Sequence, residues 1–295
     1  MIHPYFLLFE VATYILFALC FWHAAKRSRY RVLELVFAGL YGLLLEWATI
    51  KQLQAYSYGQ FLIMFDGAPL TIALAWACII YSSMEFSDRI KLPEPVRPAL
   101  DALLGLNIDL ALDAIAIRLG MWTWGVIGIN DQWFGVPWGN FWAWFIVIAG
   151  YSSFVRLLRR WQGRRVIEWL YAPAALVLSL IVLLLTNRLF TNVVRYIGDG
   201  LIGPVVLVVG ALLLIAVSRP KVLKPGAPDL VVLAVPMVNH VLMMGAGIIY
   251  GFYSQTPALA LIAVVMLVLG LLLHLAPWWA ARRQNSQQPQ AAPGD

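Results

Sequence analysis

Seven acidic side chains fall within or at the ends of the first four apolar stretches of this 295-residue chain: Glu10, Glu34, Glu46, Asp66, Asp101, Asp109 and Asp113. A carboxyl group in an apolar medium is costly and by default marks a function. Asp109 and Asp113 are four residues apart, so they share one face of a helix. Two close carboxyls in a low dielectric cannot both ionise easily, so one keeps a proton. In a dry, aromatic-lined pocket such a proton can be given to an unactivated alkene. The resulting carbocation is held by ring faces through cation–π attraction, and a second carboxylate can orient and deprotonate a water. The aromatic residues are at hand: Trp122, Trp124, Trp133, Trp138, Trp142 and Trp144 crowd into 23 residues. Hydration or isomerisation of a lipid-soluble polyene is the chemistry this set suits. No metal cluster is expected, because His3, His23, His240 and His274 are scattered, and no Gly-rich phosphate loop or nucleophilic triad is present. His240, beside Asn239, reads as a hydrogen-bonded packing residue.

The elements that must carry these groups follow from composition. The chain is 62% hydrophobic and 12% charged, against about a quarter charged in an ordinary soluble domain. That excludes a soluble enzyme, a disordered protein and a disulfide scaffold. The two cysteines, Cys20 and Cys78, sit inside apolar runs as small hydrophobic fillers. Nine apolar stretches are marked, at 5–23, 32–50, 61–84, 98–118, 137–155, 166–185, 201–217, 230–250 and 257–276. Each approaches the ~20 residues of a bilayer-spanning helix. The fold class is therefore an all-α polytopic membrane protein of about nine transmembrane helices. Residues 1–283 form a single integral-membrane domain, and 284–295, rich in Gln, Pro and Ala, form a disordered tail.

Of 21 basic residues, 17 follow spans one, three, five, seven and nine; the other four, Lys51, Arg118, Arg188 and Arg195, fall at the opposite side. This alternation puts the N-terminus outside and the C-terminus in the cytoplasm, in the inner (cytoplasmic) membrane. It makes the basic residues topology determinants and gives no reason to expect nucleic acid. Glu34 and Asp101 then lie near the cytoplasmic ends, where a solvated or salt-bridged role is expected, and Glu10 is ambiguous. Glu46, Asp66, Asp109 and Asp113 can converge in the outer half of the membrane.

Two segments of spans two to five match in type and spacing. One reads Glu46, Tyr56-x-Tyr58, Gly67-x-Pro69, Trp76; the other reads Asp113, Trp122-x-Trp124, Gly135-x-Pro137, Trp144. Each is helix, loop with an aromatic pair, Gly-x-Pro turn, helix. Repeats of this kind often place a site at their interface.

With the motifs Glu46…Trp76, Asp109-Leu-Ala-Leu-Asp113, Gly120-Met-Trp122-Thr-Trp124 and Phe134-Gly-Val-Pro137-Trp-Gly-Asn140-Phe-Trp-Ala-Trp144, the chain resembles the membrane carotenoid-biosynthesis family that includes bisanhydrobacterioruberin hydratase and γ-carotene 1′,2′-hydratase. The resemblance covers roughly residues 40–156. It implies a carotenoid hydratase that adds water to the terminal C1′=C2′ bond of an acyclic end group, with no cofactor. The implied partners are a lipid-soluble carotenoid and membrane lipid. The catalytic candidates are Asp109, Asp113, Glu46 and Asp66. The substrate-binding candidates are Tyr56, Tyr58, Trp76, Trp122, Trp124, Phe134, Pro137, Asn140 and Trp144. Two alternatives stand beside it. One is a non-enzymatic carotenoid-binding subunit of a membrane complex. The other is an intramembrane prenyltransferase, since Asn107-x-Asp109-x-x-x-Asp113 resembles the motif that binds Mg²⁺-pyrophosphate there; magnesium dependence separates it from a hydratase.

Overall fold

The computed structural model describes residues 3–287 apart from 55, 126 and 224. Nine long helices occupy the nine apolar stretches: α1 (Pro4–Arg27), α2 (Arg29–Leu53), α3 (Leu70–Ser87), α4 (Arg97–Leu119), α5 (Trp138–Leu158), α6 (Ile167–Asn192), α7 (Ile202–Val217), α8 (Leu230–Ile249) and, after the single-turn α9 (Phe252–Gln255), α10 (Pro257–Gln287). Among the described residues, seven are long and apolar enough to cross a membrane. The two exceptions are instructive. α4 carries Asp101, Asp109, Asp113 and Arg118, and α7 has only 16 residues. The outward faces of α6, α7 and α10 are apolar and bare, with Leu185, Val206, Val217 and Leu261 each more than 60% exposed. Such faces suit lipid rather than water.

Several of the expected boundaries shift, two of them by nine residues or more. The third span begins at Leu70 rather than 61, because β2 (Met64–Phe65) and β3 (Ala68–Pro69) form a hairpin before it. Its two central residues are Asp66 (φ 47°) and Gly67 (φ 92°). A two-residue turn with both φ positive is the type I′ hairpin connection, for which Asp-Gly is a preferred sequence. At the other end, α10 runs on to Gln287, into the stretch assigned to the tail.

The same turn recurs 68 residues later: Phe134 (φ 52°) and Gly135 (φ 92°) connect the bridged pair Trp133 and Val136. The two glycines differ in surroundings. A Cβ on Gly67 meets nothing within 4 Å, whereas one on Gly135 meets the Ile129 carbonyl oxygen at 2.9 Å and Ile117 Cδ1 at 2.8 Å. Both substitutions by Ala pay the left-handed penalty of about 1–2 kcal/mol. Gly135→Ala alone adds a backbone clash. It is expected to lower the melting temperature in detergent clearly more than Gly67→Ala; equal shifts would contradict this packing.

The sequence repeat is also a structural one. β1 (Tyr56–Tyr58) pairs antiparallel with β5 (Trp122–Trp124), joining the two units. The register puts Tyr56 opposite Trp124, Ser57 opposite Thr123 and Tyr58 opposite Trp122. This reciprocal pairing is what a two-fold relation between equivalent segments produces. Trp76 and Trp144, equivalent by sequence, touch with ring centroids 4.2 Å apart. The equivalence extends to the opposite end of the bundle, beyond the recognised motifs. Glu34 and Asp101 are 67 residues apart, and Asp88 lies 68 residues before its own ion-pair partner Arg156.

That opposite end carries most of the cations, and many are not merely solvated. Arg31 pairs with Glu34 (2.8 Å), Glu85 (3.0 Å) and Asp88 (2.6 Å). Arg159 pairs with Glu34 (2.9 Å) and Asp88 (3.3 Å), and Arg97 with Asp88 (3.3 Å). Arg156 joins Asp88 and the fully buried Asp101 (3.2 Å), which also accepts from Ser152 Oγ (2.5 Å). With the exposed Glu94 on Arg97 (2.8 Å), four arginines thus face five carboxylates at this end. The salt-bridged role expected for Glu34 and Asp101 is the one they have. A two-residue pairing, β4 (Ile90–Lys91) with β6 (Lys221–Val222), closes this end.

Candidate functional site

Between the two repeat units, at the aromatic end, lies a cavity of about 490 Å³. Glu46 and Asp113, the equivalent acids of the two units, both line it. They are held differently. Glu46 Oε2 accepts from the hydroxyls of Tyr56 and Tyr58, each at 2.8 Å, and Oε1 accepts from Trp76 Nε1 at 2.7 Å. The indole N–H can only donate, so this carboxyl accepts three hydrogen bonds and keeps one acceptor site free, on Oε1. All three donors come from its own repeat unit.

Asp113 instead meets Asn140, whose Nδ2 donates to Asp113 Oδ2 at 2.7 Å and to the two Asp109 oxygens at 3.1 and 3.3 Å. One amide group thus bridges two carboxyls that stand a helical turn apart on α4. Two carboxyls held so close in a low dielectric cannot both ionise easily. Asp109 is fully buried behind Asn140, so Asp113 is the member of the pair that lines the cavity.

The walls come from the repeat's aromatic residues. Tyr56, Tyr58, Trp76, Trp122, Trp124, Pro137, Asn140 and Trp144 all line the cavity. Tyr56 lies 4.7 Å from Trp124 and Tyr58 5.8 Å from Trp122, ring centre to ring centre. The strand register sets these pairs. Pro137 starts α5 at the N-cap, where extended backbone (φ −68°, ψ 144°) suits it, and the helix then delivers Asn140 one turn later.

Asp66 and Phe134 do not join this group. They are the equivalent first residues of the two hairpin turns. The Asp66 side chain is 66% exposed, accepts from Trp47 Nε1 (2.8 Å) and pairs with Lys51 (3.0 Å). Those donors hold its carboxyl below the usual range. Phe134 packs on Trp133 and gives its carbonyl to Arg118 at 2.8 Å. Lys51 and Arg118 are themselves equivalent, each gripping the hairpin from the last turn of its helix. Glu10, ambiguous by sequence, is buried and accepts from Leu62 N (3.0 Å) and Thr71 Oγ1 (3.1 Å), so it ties α1 to the first hairpin and α3. Asn107 points away from the cavity, with Nδ2 on the Met266 carbonyl (3.0 Å) and Oδ1 near His240 Nε2 (3.1 Å). His240 thereby has the hydrogen-bonded packing role expected of it. Among the described residues, no group of three or more His, Cys, Asp or Glu side chains is arranged to hold a metal ion.

Other lining residues lie outside the repeat. Leu183, Asn187, Phe190 and Thr191 come from α6, Arg195, Tyr196 and Asp199 from the connection to α7, and Asn239 from α8. No spacing signal marks them; only an unexpected amide inside an apolar run sets off Asn187 and Asn239.

A helical membrane protein with a carboxyl-lined aromatic cavity at a repeat interface is thus the class that fold and cavity define. A family model described as "Carotenoid biosynthesis protein" matches residues 2–217. The chain belongs to that family. No curated protein and no solved structure matches it.

Proposed function

We propose that this protein is a carotenoid hydratase of the cytoplasmic membrane, adding water to the terminal C1′=C2′ bond of an acyclic end group. The observation that carries the reading is the contrast between the two equivalent acids. One accepts from three donors of its own unit, and the other, on the same cavity, shares the Asn140 amide with a second, fully buried carboxyl, Asp109.

In this reading the Asp113 carboxyl gives its proton to C2′, leaving a tertiary cation at C1′. The faces of Trp122, Trp124, Tyr56 and Tyr58 stabilise that charge. Glu46 takes a proton from water as the oxygen bonds to C1′, giving the tertiary alcohol. Return of that proton to the Asp109–Asp113 pair resets the site. The reaction is redox-neutral. Asn107 faces α8 and α10 rather than the cavity, which weighs against the pyrophosphate-binding alternative. The basic end faces the cytoplasm in this scheme.

Expression in a host that accumulates an acyclic carotenoid tests the reading. Extracted pigment is expected to gain the mass of one water per end group, and membranes are expected to retain activity in EDTA. Unchanged pigment, or loss of activity with EDTA restored by Mg²⁺, would reject it.

A further inference from the structure

The matched family stretch ends at residue 217, before α8 begins at Leu230, yet α8 reaches the cavity. It does so through Asn239, 5% exposed, which lines the same cavity as Phe9, Ile79 and Leu112. The Asn239 amide is oriented by its own helix. Nδ2 donates to the Val235 carbonyl at 2.8 Å. The side-chain oxygen is therefore turned the other way, and it has no hydrogen-bond partner among the described residues.

The next residue fixes the face that α8 presents. His240 meets Asn107 of α4, and Asn107 in turn holds the Met266 carbonyl of α10. The three helices are thus cross-linked directly behind the amide. The oxygen is not sealed away as a buried orphan; it is open to the cavity that Asn239 lines. An acceptor kept on an apolar wall fits a ligand that brings an O–H.

We infer that α8 completes the site and that Asn239 Oδ1 is a positioning group for the water that is added, accepting one of its O–H bonds. This rests on the hydratase reading. Water held there would keep its other proton free for Glu46 and one lone pair free for the cation.

The test uses the full chain in membranes and in detergent, with an acyclic carotenoid as the probe. Asn239→Leu keeps the bulk and removes the acceptor. Its kcat is expected to fall about tenfold or more, equivalent to a lost hydrogen bond in the transition state. KM for the carotenoid is expected to stay within about twofold. Asn239→Asp, which keeps an acceptor oxygen, is expected to restore most of the rate. If Asn239→Leu fails to fold, judged by loss of retained pigment, Asn239→Ala under the same assay decides, with the same kcat loss expected. Wild-type kcat in the folded variant, or a raised KM with kcat kept, overturns the inference while leaving the hydratase reading standing. A wild-type protein that adds no water removes both.

Discussion

Asp113→Asn abolishes water addition while the protein still folds and retains pigment: that is the expected result at the reacting end of the molecule. General acid–base groups contribute about 10²–10⁴-fold in rate, and in this reading Asp113 is the proton donor itself. The substitution is nearly isosteric. Asn140 Nδ2, now 2.7 Å from Asp113 Oδ2, can still donate to an amide oxygen, so the local hydrogen bonding survives. What is lost is a transferable proton. Asp109→Asn is expected to cost less, because Asp109 is fully buried and does not line the cavity. It acts through Asp113. Pigment mass and turnover, measured on protein shown to be folded by retained carotenoid absorbance, check both variants. Full activity in Asp113→Asn would remove it from the reaction. A larger loss in Asp109→Asn would exchange the two assignments.

The site was legible in the sequence to the extent that it is local. Glu46, Asp113 and the aromatic pairs stand at matching intervals, and equivalent intervals on equivalent elements must land at equivalent places. The strand pairing of Tyr56–Tyr58 with Trp122–Trp124 completes that logic. Asp66 misled because an acid at a span boundary resembles an acid inside one. Its glycine neighbour was the better guide, since Asp-Gly with both φ positive makes a hairpin turn and an exposed carboxylate. The contributions of α6 and α8 were illegible for a different reason. Asn187, Phe190 and Asn239 have no counterpart in the repeat, and only tertiary packing brings them to the cavity. The arginines carried two messages of which one was readable. Their alternation speaks of orientation, while the pairing of Arg31, Arg156 and Arg159 with buried carboxylates depends on helix neighbours that no spacing reveals.

That ion network gives the second large effect, in stability rather than turnover. Asp88 caps α3 and meets Arg31, Arg97, Arg156 and Arg159. Burial opposes its charge, but Arg156, Arg159 and Arg31 outweigh burial and hold the carboxyl well below the usual range. Asp88→Asn removes the one carboxylate that meets all four arginines. Removing one partner of a fully buried pair costs about 3–5 kcal/mol and of a surface pair ~0–1 kcal/mol; Asp88, with 17% of its side chain exposed, lies between the two. The melting temperature in detergent at neutral pH is expected to drop steeply. The sign with pH follows from linkage. A carboxyl whose folded pKa is depressed contributes stability that is fully present above its unfolded value, about 4, and is lost as pH falls through the folded value. The gap between wild type and Asp88→Asn is therefore expected to hold constant from about pH 7 to pH 5 and to narrow below about pH 4. A gap that stays the same in acid would mean that the side chain works by shape and hydrogen bonding alone. No gap at neutral pH would mean that the four arginines are neutralised without it. Either outcome would separate the basic end's fold from its charge, whereas the expected one makes Asp88 the point where the two repeat units are held together.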